Sequence, residues 1–341
     1  MQRPRGEVAV VGAGVAGSVL ATLLQAKGIS TVVYDITPSY RKPCGEAVPA
    51  GLLDQDWPEA VEKPRILNVI KRFIFMVDAE VVRVYESKRP VWYTIDKSRW
   101  IDGLRSRLNV VSKPVDPESL LDSHSLVADA RGPFSSKGVK IPVWRAYADN
   151  PGIDGESVYL IFLPGRLGLA WVFPHGHMLN IGGGFMDVKN PREVSVKLVS
   201  KALGQLPKLR GEAYSLVTVF PRIELLTRSG VVKTGEAAGL VMSLGGEGIR
   251  PAVLSARALA DAVSLDDDGR PFLDARRYRE GVRSLSIESR THSLMLLAAS
   301  ALGKMGVERI LSKAPEDLIK TWLEGRLRGP HYLVKGITAL L

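Results

Sequence analysis

Short apolar runs without alternation recur along this chain. Residues 8–11 (VAVV) and 31–34 (TVVY) are two such runs, and the helix expected between them ends at about Lys27. Residues 126–129 and 231–234 have the same character. Because such runs are typical of strands buried on both faces, we predict that the four segments form one mostly parallel sheet of the doubly wound α/β class.

Other segments alternate between apolar and polar positions and are rich in β-branched and aromatic residues. They predict the strands of an antiparallel sheet within residues 72–85, 91–95, 157–163, 168–173, 177–184 and 214–219. In this prediction residues 91–95 pair with residues 72–85. Helices are predicted from an N-cap at Asp96 to about residue 108, over residues 191–203, and through most of the chain after Ile249.

Together the two kinds of segment predict two interleaved domains and a helical region. A Rossmann-like domain takes residues 1–58, 95–140 and 225–270. An inserted antiparallel β-sheet domain, expected to bind the substrate, takes residues 59–94 and 141–224. The remaining residues, 271–341, are predicted to form a C-terminal helical region.

The 341 residues carry a net charge of +10, and the segment from Pro271 onward contributes +5 through twelve Lys or Arg and seven Asp or Glu. A basic surface suits an anionic membrane, an acidic soluble partner or nucleic acid. No helix-turn-helix, zinc or RNA-binding signature accompanies the charge, which argues against nucleic acid. An ordinary solvated basic face explains the charge equally well.

Cysteine use and hydropathy bear on location. The single cysteine, Cys44, excludes an internal disulfide and favours a cytoplasmic setting, with a peripheral position at a membrane surface left open. Arg3 and Arg5 before the apolar residues 8–24 imitate a signal peptide, but a strand, a glycine turn and a helix explain that segment. The most apolar helical candidate elsewhere, residues 294–302, is too short to cross a bilayer.

The first glycine loop predicts a dinucleotide site. Gly12, Gly14 and Gly17 follow the first strand and open the first helix, with Ala16 inside the same turn. Such glycines permit a tight turn, close approach of a pyrophosphate and close helix packing. Asp35 ends the second strand, where a carboxylate accepts hydrogen bonds from ribose hydroxyls. A purely structural glycine turn would leave Asp35 unexplained.

A second glycine loop lies within residues 231–264, more than two hundred residues later. A glycine-rich loop that feeds a helix N-terminus favours an anion or an electron-rich ring, because backbone N–H groups and the helix dipole point toward it. Two such loops suggest one large, two-ended cofactor such as FAD. The candidate contacts in this loop are Gly235, Glu236, Gly246, Gly248 and Ile249.

Three further features have both a functional and a structural interpretation. Cys44 is either a buried small side chain or a site residue, since it lies in a Pro/Gly loop beside Arg41, Lys42 and Glu46. Leu169, Trp171 and Phe173 have period-two spacing, which indicates either sheet core or an apolar wall for a lipid. His175 and His177 are interpreted as turn residues, because no carboxylate or cysteine at suitable spacing accompanies them as metal ligands. No metal site is predicted.

The arrangement resembles the flavoprotein superfamily that includes aromatic hydroxylases, and it is similar in particular to the geranylgeranyl reductase family of FAD-dependent enzymes. The segment Asp129-Ala130-Arg131-Gly132 with Ser135 is a third motif of the superfamily. The family resemblance rests on five segments, in the family's order within residues 8–264: 43–46 (PCGE), 93–104 (YTIDKSRWIDGL), 170–174 (AWVFP), 235–239 (GEAAG) and 245–249 (GGEGI).

This resemblance implies an extended FAD, with its AMP end at Gly12 to Asp35 and its flavin near Gly246 to Ile249. Lys97, where the family usually has arginine, would face the pyrophosphate. Asp129 would also contact the cofactor, and Glu236 replaces the usual aspartate. The family places Cys44 and Gly45 near flavin and substrate. Leu169 occupies the position of a tyrosine in the family's aromatic motif.

The function implied by the resemblance is saturation of carbon–carbon double bonds in an isoprenoid chain of a lipid or prenyl phosphate. Cys44 is the candidate proton donor, and Leu169, Trp171 and Phe173 are the candidate wall for the substrate. NADPH or a ferredoxin would supply the electrons. Two alternatives stay open, an FAD-dependent aromatic monooxygenase and a non-catalytic prenyl-lipid carrier on the same fold.

Overall fold

The computed structural model describes residues 6–40, 42–301, 306–329, 331–332 and 334–335. Arg3, Arg5, Arg41 and Leu302, which entered the sequence-based predictions, lie outside the described residues.

A five-stranded, fully parallel sheet forms the first layer. The four predicted apolar runs all belong to it, which confirms the prediction, and residues 109–112 supply the fifth strand. The order across the sheet is β15-β9-β1-β2-β8. Its strands are β1 (Glu7–Val11), β2 (Ser30–Asp35), β8 (Asn109–Ser112), β9 (Leu126–Asp129) and β15 (Val232–Lys233).

Helices cover one face of this sheet. Val8 and Val10 share a core with apolar residues of α1 (Val15–Ala26), α3 (Lys97–Arg105) and α5 (Ile249–Ala262). The alternate residues Ala9, Val32 and Val127 form a smaller cluster on the other side. The strands are therefore buried on both faces, as their continuous apolar sequences require.

The second layer is a seven-stranded sheet in the order β14-β10-β13-β12-β11-β5-β6. All its pairs are antiparallel except β5 with β11, which are parallel. The strands are β5 (Arg72–Val77), β6 (Glu80–Glu86), β10 (Lys137–Asp149), β11 (Ser157–Phe162), β12 (Gly168–His175), β13 (Met178–Phe185) and β14 (Leu209–Arg222). None of the predicted strands corresponds to β10, and β14 is longer than the predicted strand 214–219.

The predicted pairing of residues 91–95 with residues 72–85 is wrong. A turn at Asp78 and Ala79, both with positive φ, folds β6 back onto one edge of β5, and β11 occupies the other edge. No edge of β5 is left for a further strand. Residues 92–95 instead form the centre of a three-stranded antiparallel sheet, which consists of β3 (Ala47–Pro49), β4 (Ile66–Ile70) and β7 (Trp92–Ile95).

The helices follow the predicted capping signals. The Asp96 side chain accepts a hydrogen bond from the backbone N–H of Arg99 and thereby caps α3. After α5 the chain forms a hairpin, β16 (Val263–Leu265) with β17 (Pro271–Leu273), which the prediction of a mainly helical region did not include. The remaining helices are α2 (Ala50–Asp54), α4 (Pro191–Leu203), α6 (Ala275–Gly281), α7 (Arg283–Ala301), α8 (Gly306–Lys313) and α9 (Glu316–Leu323).

The predicted α/β class, with a parallel sheet, a largely antiparallel sheet and C-terminal helices, is confirmed. The exact domain boundaries stay a prediction. Among the described residues, no helix combines the length and the apolar character needed to span a membrane.

Candidate active site

One cavity of about 900 Å³ lies where the carboxyl ends of the parallel strands meet the seven-stranded sheet and the C-terminal helices. Fourteen of the predicted site residues line it, so the structure brings both glycine loops, the cysteine loop and the apolar wall together. These residues are Gly12, Gly14, Ala16, Asp35, Cys44, Gly45, Lys97, Leu169, Trp171, Phe173, Glu236, Gly246, Gly248 and Ile249.

Three of the predicted site residues, Gly17, Gly235 and Asp129, do not line the cavity but lie next to residues that do. A Cβ at Gly17 would lie 1.8 Å from the carbonyl oxygen of Gly12, so this glycine permits the tight turn. Gly235, with φ +61°, leaves room for Ala16. The buried Asp129 carboxylate accepts hydrogen bonds from the Arg131 backbone and guanidinium. Asp129 therefore orients Arg131, which does line the cavity, and does not itself face it.

At the first glycine loop the backbone forms an open cradle. Gly12 has φ +102°, and a Cβ there would lie 2.6 Å from the carbonyl oxygen of Ala130. The Asp35 carboxylate accepts hydrogen bonds from the backbone N–H groups of Ala13 and Thr37. Arg105, which the sequence did not single out, lines the same region, and its buried Nη1 has no hydrogen-bond partner among the described residues.

The second glycine loop presents the start of α5 to the cavity. Gly248 is the N-cap and has no side chain with which to satisfy the first N–H groups of the helix. Met242 and Glu247 exchange two backbone hydrogen bonds that close the loop, with N···O distances of 3.0 and 3.2 Å. The open N-terminus and the glycine at position 246 therefore offer the donor-rich surface that the sequence predicted.

The buried Lys97 and the partly exposed Lys42 bring two cations to the wall. The Lys97 ammonium donates to the carbonyl oxygen of Lys42 at 3.1 Å and lies over the Tyr40 ring. Burial alone would lower the pKa of Lys97, but its interactions with Cys44, Tyr40 and Glu46 outweigh burial and raise the pKa. Lys42 pairs at 2.7 Å with Glu236, whose other oxygen accepts from the Thr218 backbone N–H.

The cysteine loop rests on the aromatic wall. The Cys44 sulfur accepts a hydrogen bond from the backbone N–H of Glu46 at 3.3 Å, and its carbonyl oxygen accepts from the Asn180 side chain at 2.8 Å. Asn180 also accepts from the Trp171 indole at 3.0 Å. A Cβ at Gly45 would lie 2.7 Å from the Phe173 ring, so glycine is what allows this contact.

Glu46 and His175 form a buried pair behind that loop. The His175 Nε2 and the Glu46 Oε2 are 2.7 Å apart, and Tyr147 donates to the other Glu46 oxygen at 3.2 Å. His175 ends β12, so its interpretation as a turn residue is wrong, whereas the exposed His177 does lie in the turn. The sequence offered one signal for Glu46, its place in the PCGE segment, and none for His175.

Apolar residues of the C-terminal helices close the cavity opposite the aromatic wall. Trp171 and Phe173 belong to the same hydrophobic cluster as Leu311, Leu318 and Leu323. The helical lining residues are Met295, Leu296 and Ala299 of α7, Val307, Ile310 and Leu311 of α8, and Leu318, Ile319, Trp322 and Leu323 of α9. No cluster of three or more potential metal-ligating side chains occurs within the described ranges.

Comparison with known proteins confirms the predicted resemblance. The chain is 26% identical over 307 residues to the geranylgeranyl diphosphate reductase of Synechocystis sp., and the match covers 75% of this chain and 74% of that protein. No family model matches the chain.

Several solved structures with the same fold are flavoproteins or flavin-dependent enzymes. A geranylgeranyl bacteriochlorophyll reductase-like protein from Thermoplasma acidophilum superposes with a TM-score of 0.67 at 16% identity, covering 98% of this chain and 96% of that one. The protein CtdE, solved in complex with FAD and a substrate, gives a TM-score of 0.56 at 13% identity, covering 98% of each chain. Flavin-dependent halogenases also share the fold. The predicted enzyme class and FAD cofactor are thereby confirmed.

Proposed function

We propose that this FAD-dependent oxidoreductase, which is similar to geranylgeranyl reductases, saturates carbon–carbon double bonds of an isoprenoid chain. The observation that carries the proposal is the shared cavity, which is lined both by the two glycine loops and by the apolar wall of Trp171 and Phe173. A flavin held by the loops and an apolar chain held by the wall would occupy one enclosed space.

The residues present fit FAD. Gly12 and Gly14 line the cavity without side chains, which suits a pyrophosphate, and the Nη1 of Arg105, which has no hydrogen-bond partner in the described part of the chain and lies 3.9 Å from the Asp35 carboxylate, offers a buried donor. Lys97 adds positive charge, and the N-terminus of α5 offers backbone donors. When bound, the reduced flavin supplies a hydride for the double bond.

The protein's own part is to orient the chain, exclude water and provide a proton. The apolar lining of α7 to α9 opposite Trp171 suits a flexible hydrocarbon, and its burial keeps water away. Cys44 lines the same cavity beside Lys97, so its thiol is our candidate donor to the second carbon.

The finer assignments are part of the same proposal. A lipid or prenyl phosphate would place its apolar chain in the cavity, and the net charge of +10 suits an anionic head group or a peripheral contact with an anionic membrane. NADPH or a ferredoxin would reduce the flavin. The Rossmann-like and sheet domains would then act as cofactor and substrate domains.

Mass spectrometry provides the direct test. Dithionite-reduced holoprotein is incubated with geranylgeranyl phosphate or a geranylgeranyl lipid, and we expect the product mass to rise in steps of two hydrogens. No change with several isoprenoids would refute the proposal. Transfer of oxygen to an aromatic substrate would indicate the monooxygenase instead, and a protein that cannot be reconstituted with FAD would indicate the carrier.

Substitution of the cysteine separates its two interpretations. We expect Cys44→Ala to retain FAD, measured by flavin absorbance, and to lower turnover about a hundredfold, because a positioned proton donor typically contributes at least that much. Unchanged turnover would return Cys44 to a packing role.

A further inference from the structure

A fully buried carboxylate lies in the cavity wall two residues from the candidate proton donor. Glu46 has no solvent exposure, yet it lines the cavity, and its backbone N–H donates to the Cys44 sulfur. Its φ of +59° is a left-handed conformation that a residue with a Cβ rarely adopts. The contacts of the side chain therefore hold it in a strained position, which is a common property of functional sites.

The carboxylate connects the cavity with the protein exterior. His175, at the end of β12, lies 2.7 Å from Glu46 and retains 15% of its side-chain exposure beside the exposed turn at Gly176 and His177. His175 does not line the cavity, whereas Glu46 does. A proton taken up by the imidazole at the surface therefore needs only one short hydrogen bond to reach the cavity wall.

The groups that face this pair keep their protons. Tyr147 and Arg145 approach from β10, and Lys97 approaches from α3. Burial raises the pKa of Tyr147 to about 12, so its hydroxyl stays a fixed donor to Glu46. Burial opposes ionisation of Glu46, but the hydrogen bond from His175 and the nearby cations outweigh it and lower the pKa of Glu46. Glu46 is thus held as a carboxylate between Tyr147 and His175.

We propose that His175 and Glu46 form the proton-transfer pair that reloads Cys44 after each reduction of a double bond. The role rests on the proposed function. In one cycle the π bond breaks, one carbon takes the hydride and the other takes the thiol proton of Cys44. The Cys44 thiolate then regains a proton from His175 through Glu46, which lines the same cavity and whose backbone N–H donates to the Cys44 sulfur, and His175 regains a proton from water.

Reloading predicts a kinetic pattern that a structural role does not. The first turnover uses the proton already on Cys44, so loss of the relay leaves it unchanged and slows only later turnovers. His175→Gln keeps a nitrogen donor for Glu46 but does not titrate. We expect its later turnovers to be at least about tenfold slower than those of the wild type, within the range by which proton transfer assists catalysis.

The experiment is rapid-quench analysis of the holoprotein with excess geranylgeranyl diphosphate and with excess dithionite, which reduces FAD again after each turnover. In the wild type we expect the later turnovers to keep pace with the first. In His175→Gln only the later turnovers should slow. Glu46→Gln should give the same pattern, and FAD affinity and thermal unfolding show that each variant is folded. His177→Gln, in the adjacent exposed turn, is the matched control and should behave as the wild type.

The outcomes distinguish failure of the proton-transfer role from failure of the proposed reductase function. A burst of one product followed by slow turnover in His175→Gln supports the pair. Equal slowing of the first and later turnovers assigns it a structural role and overturns the proposal, as do wild-type kinetics. If the wild type reduces no isoprenoid, the proposed function fails and this role fails with it.

Discussion

At the scale of single residues, glycines decide how closely the backbone approaches the cofactor site. Gly12 combines φ +102° with backbone atoms of Ala130 and Arg131 less than 3 Å from the position of a Cβ. These are backbone atoms and cannot move aside as a flexible side chain can. Gly28 also has a positive φ, +73°, but nothing lies within 4 Å of its Cβ position.

Substitution of these two glycines distinguishes the cost of a left-handed backbone conformation from the cost of a steric clash with neighbouring backbone atoms. We expect Gly28→Ala to lose about 1 kcal/mol of unfolding free energy, the usual cost of a left-handed alanine, and to retain its FAD affinity. Gly12→Ala should lose more stability and bind FAD at least about tenfold more weakly, because the cradle itself is displaced. Denaturant unfolding and flavin fluorescence titration measure both quantities. Equal FAD affinities in the two variants would contradict this view of Gly12.

The same scale shows what the sequence can predict about a site. Gly12, Asp35 and Cys44 are recognisable because their local pattern carries the signal, and all three line the cavity. The Glu46–His175 pair is not, because 129 residues separate its members and the PCGE segment that contains Glu46 does not indicate which residue it pairs with. Only the pairing of strands brings them together.

At the scale of elements, local sequence signals predict where a helix begins and ends, but they do not predict which strands pair. Helix α4 was predicted with the bounds it has, because Asn190 caps its start, Pro191 opens it and Gly204 ends it in a left-handed conformation. The pairing of β7 depends instead on which strand edges remain free, and a segment's own sequence does not contain that information. The fold class was therefore predictable, but the three-stranded sheet was not.

Helix α7 places in the cavity wall a buried histidine without hydrogen-bond partners in the described part of the chain. Its His292 is 1% exposed and lines the cavity, and neither ring nitrogen has a hydrogen-bond partner among the described residues. Burial, assisted by the charge of Arg250, lowers the pKa of His292 to about 3. The imidazole is therefore neutral in the folded protein at every pH where the enzyme would work.

The shift predicts how stability depends on pH. Below a pH of about 6.5 the unfolded chain binds a proton at His292 that the folded protein excludes, so the unfolding free energy falls as the pH is lowered toward 3. The slope from this residue approaches about 1.4 kcal/mol per pH unit. We expect His292→Leu to remove it between pH 5 and 6.5, measured by denaturant unfolding. His177→Leu, at an exposed position, is the control, and an unchanged slope in His292→Leu would exclude this origin.

At the scale of the whole molecule, segments far apart in the chain enclose one space. The first glycine loop follows β1 at the centre of the parallel sheet and the second follows β15 at its edge. The aromatic wall comes from β12, and α7 to α9 provide the opposite side of the cavity. Arg83 donates to the carbonyl oxygens of Leu311 and Ala314, and the Trp92 indole donates to that of Leu323 at 2.6 Å, so side chains near the seven-stranded sheet hold these helices in place. The sequence predicted helices here, but an amphipathic pattern does not specify which sheet a helix covers.

If this apolar side holds the isoprenoid, its depth limits the length of chain accepted. Ala314 is 3% exposed and lines the cavity, so Ala314→Phe would fill space that a long chain needs. We expect the variant to reduce geranylgeranyl diphosphate at least about tenfold more slowly while a shorter prenyl diphosphate is affected less, since lost cavity space penalises the longer ligand. Ala301→Phe, at an exposed position of α7, tests the effect of an added ring alone. Equal slowing of long and short substrates by Ala314→Phe would show that the substrate chain does not reach these helices.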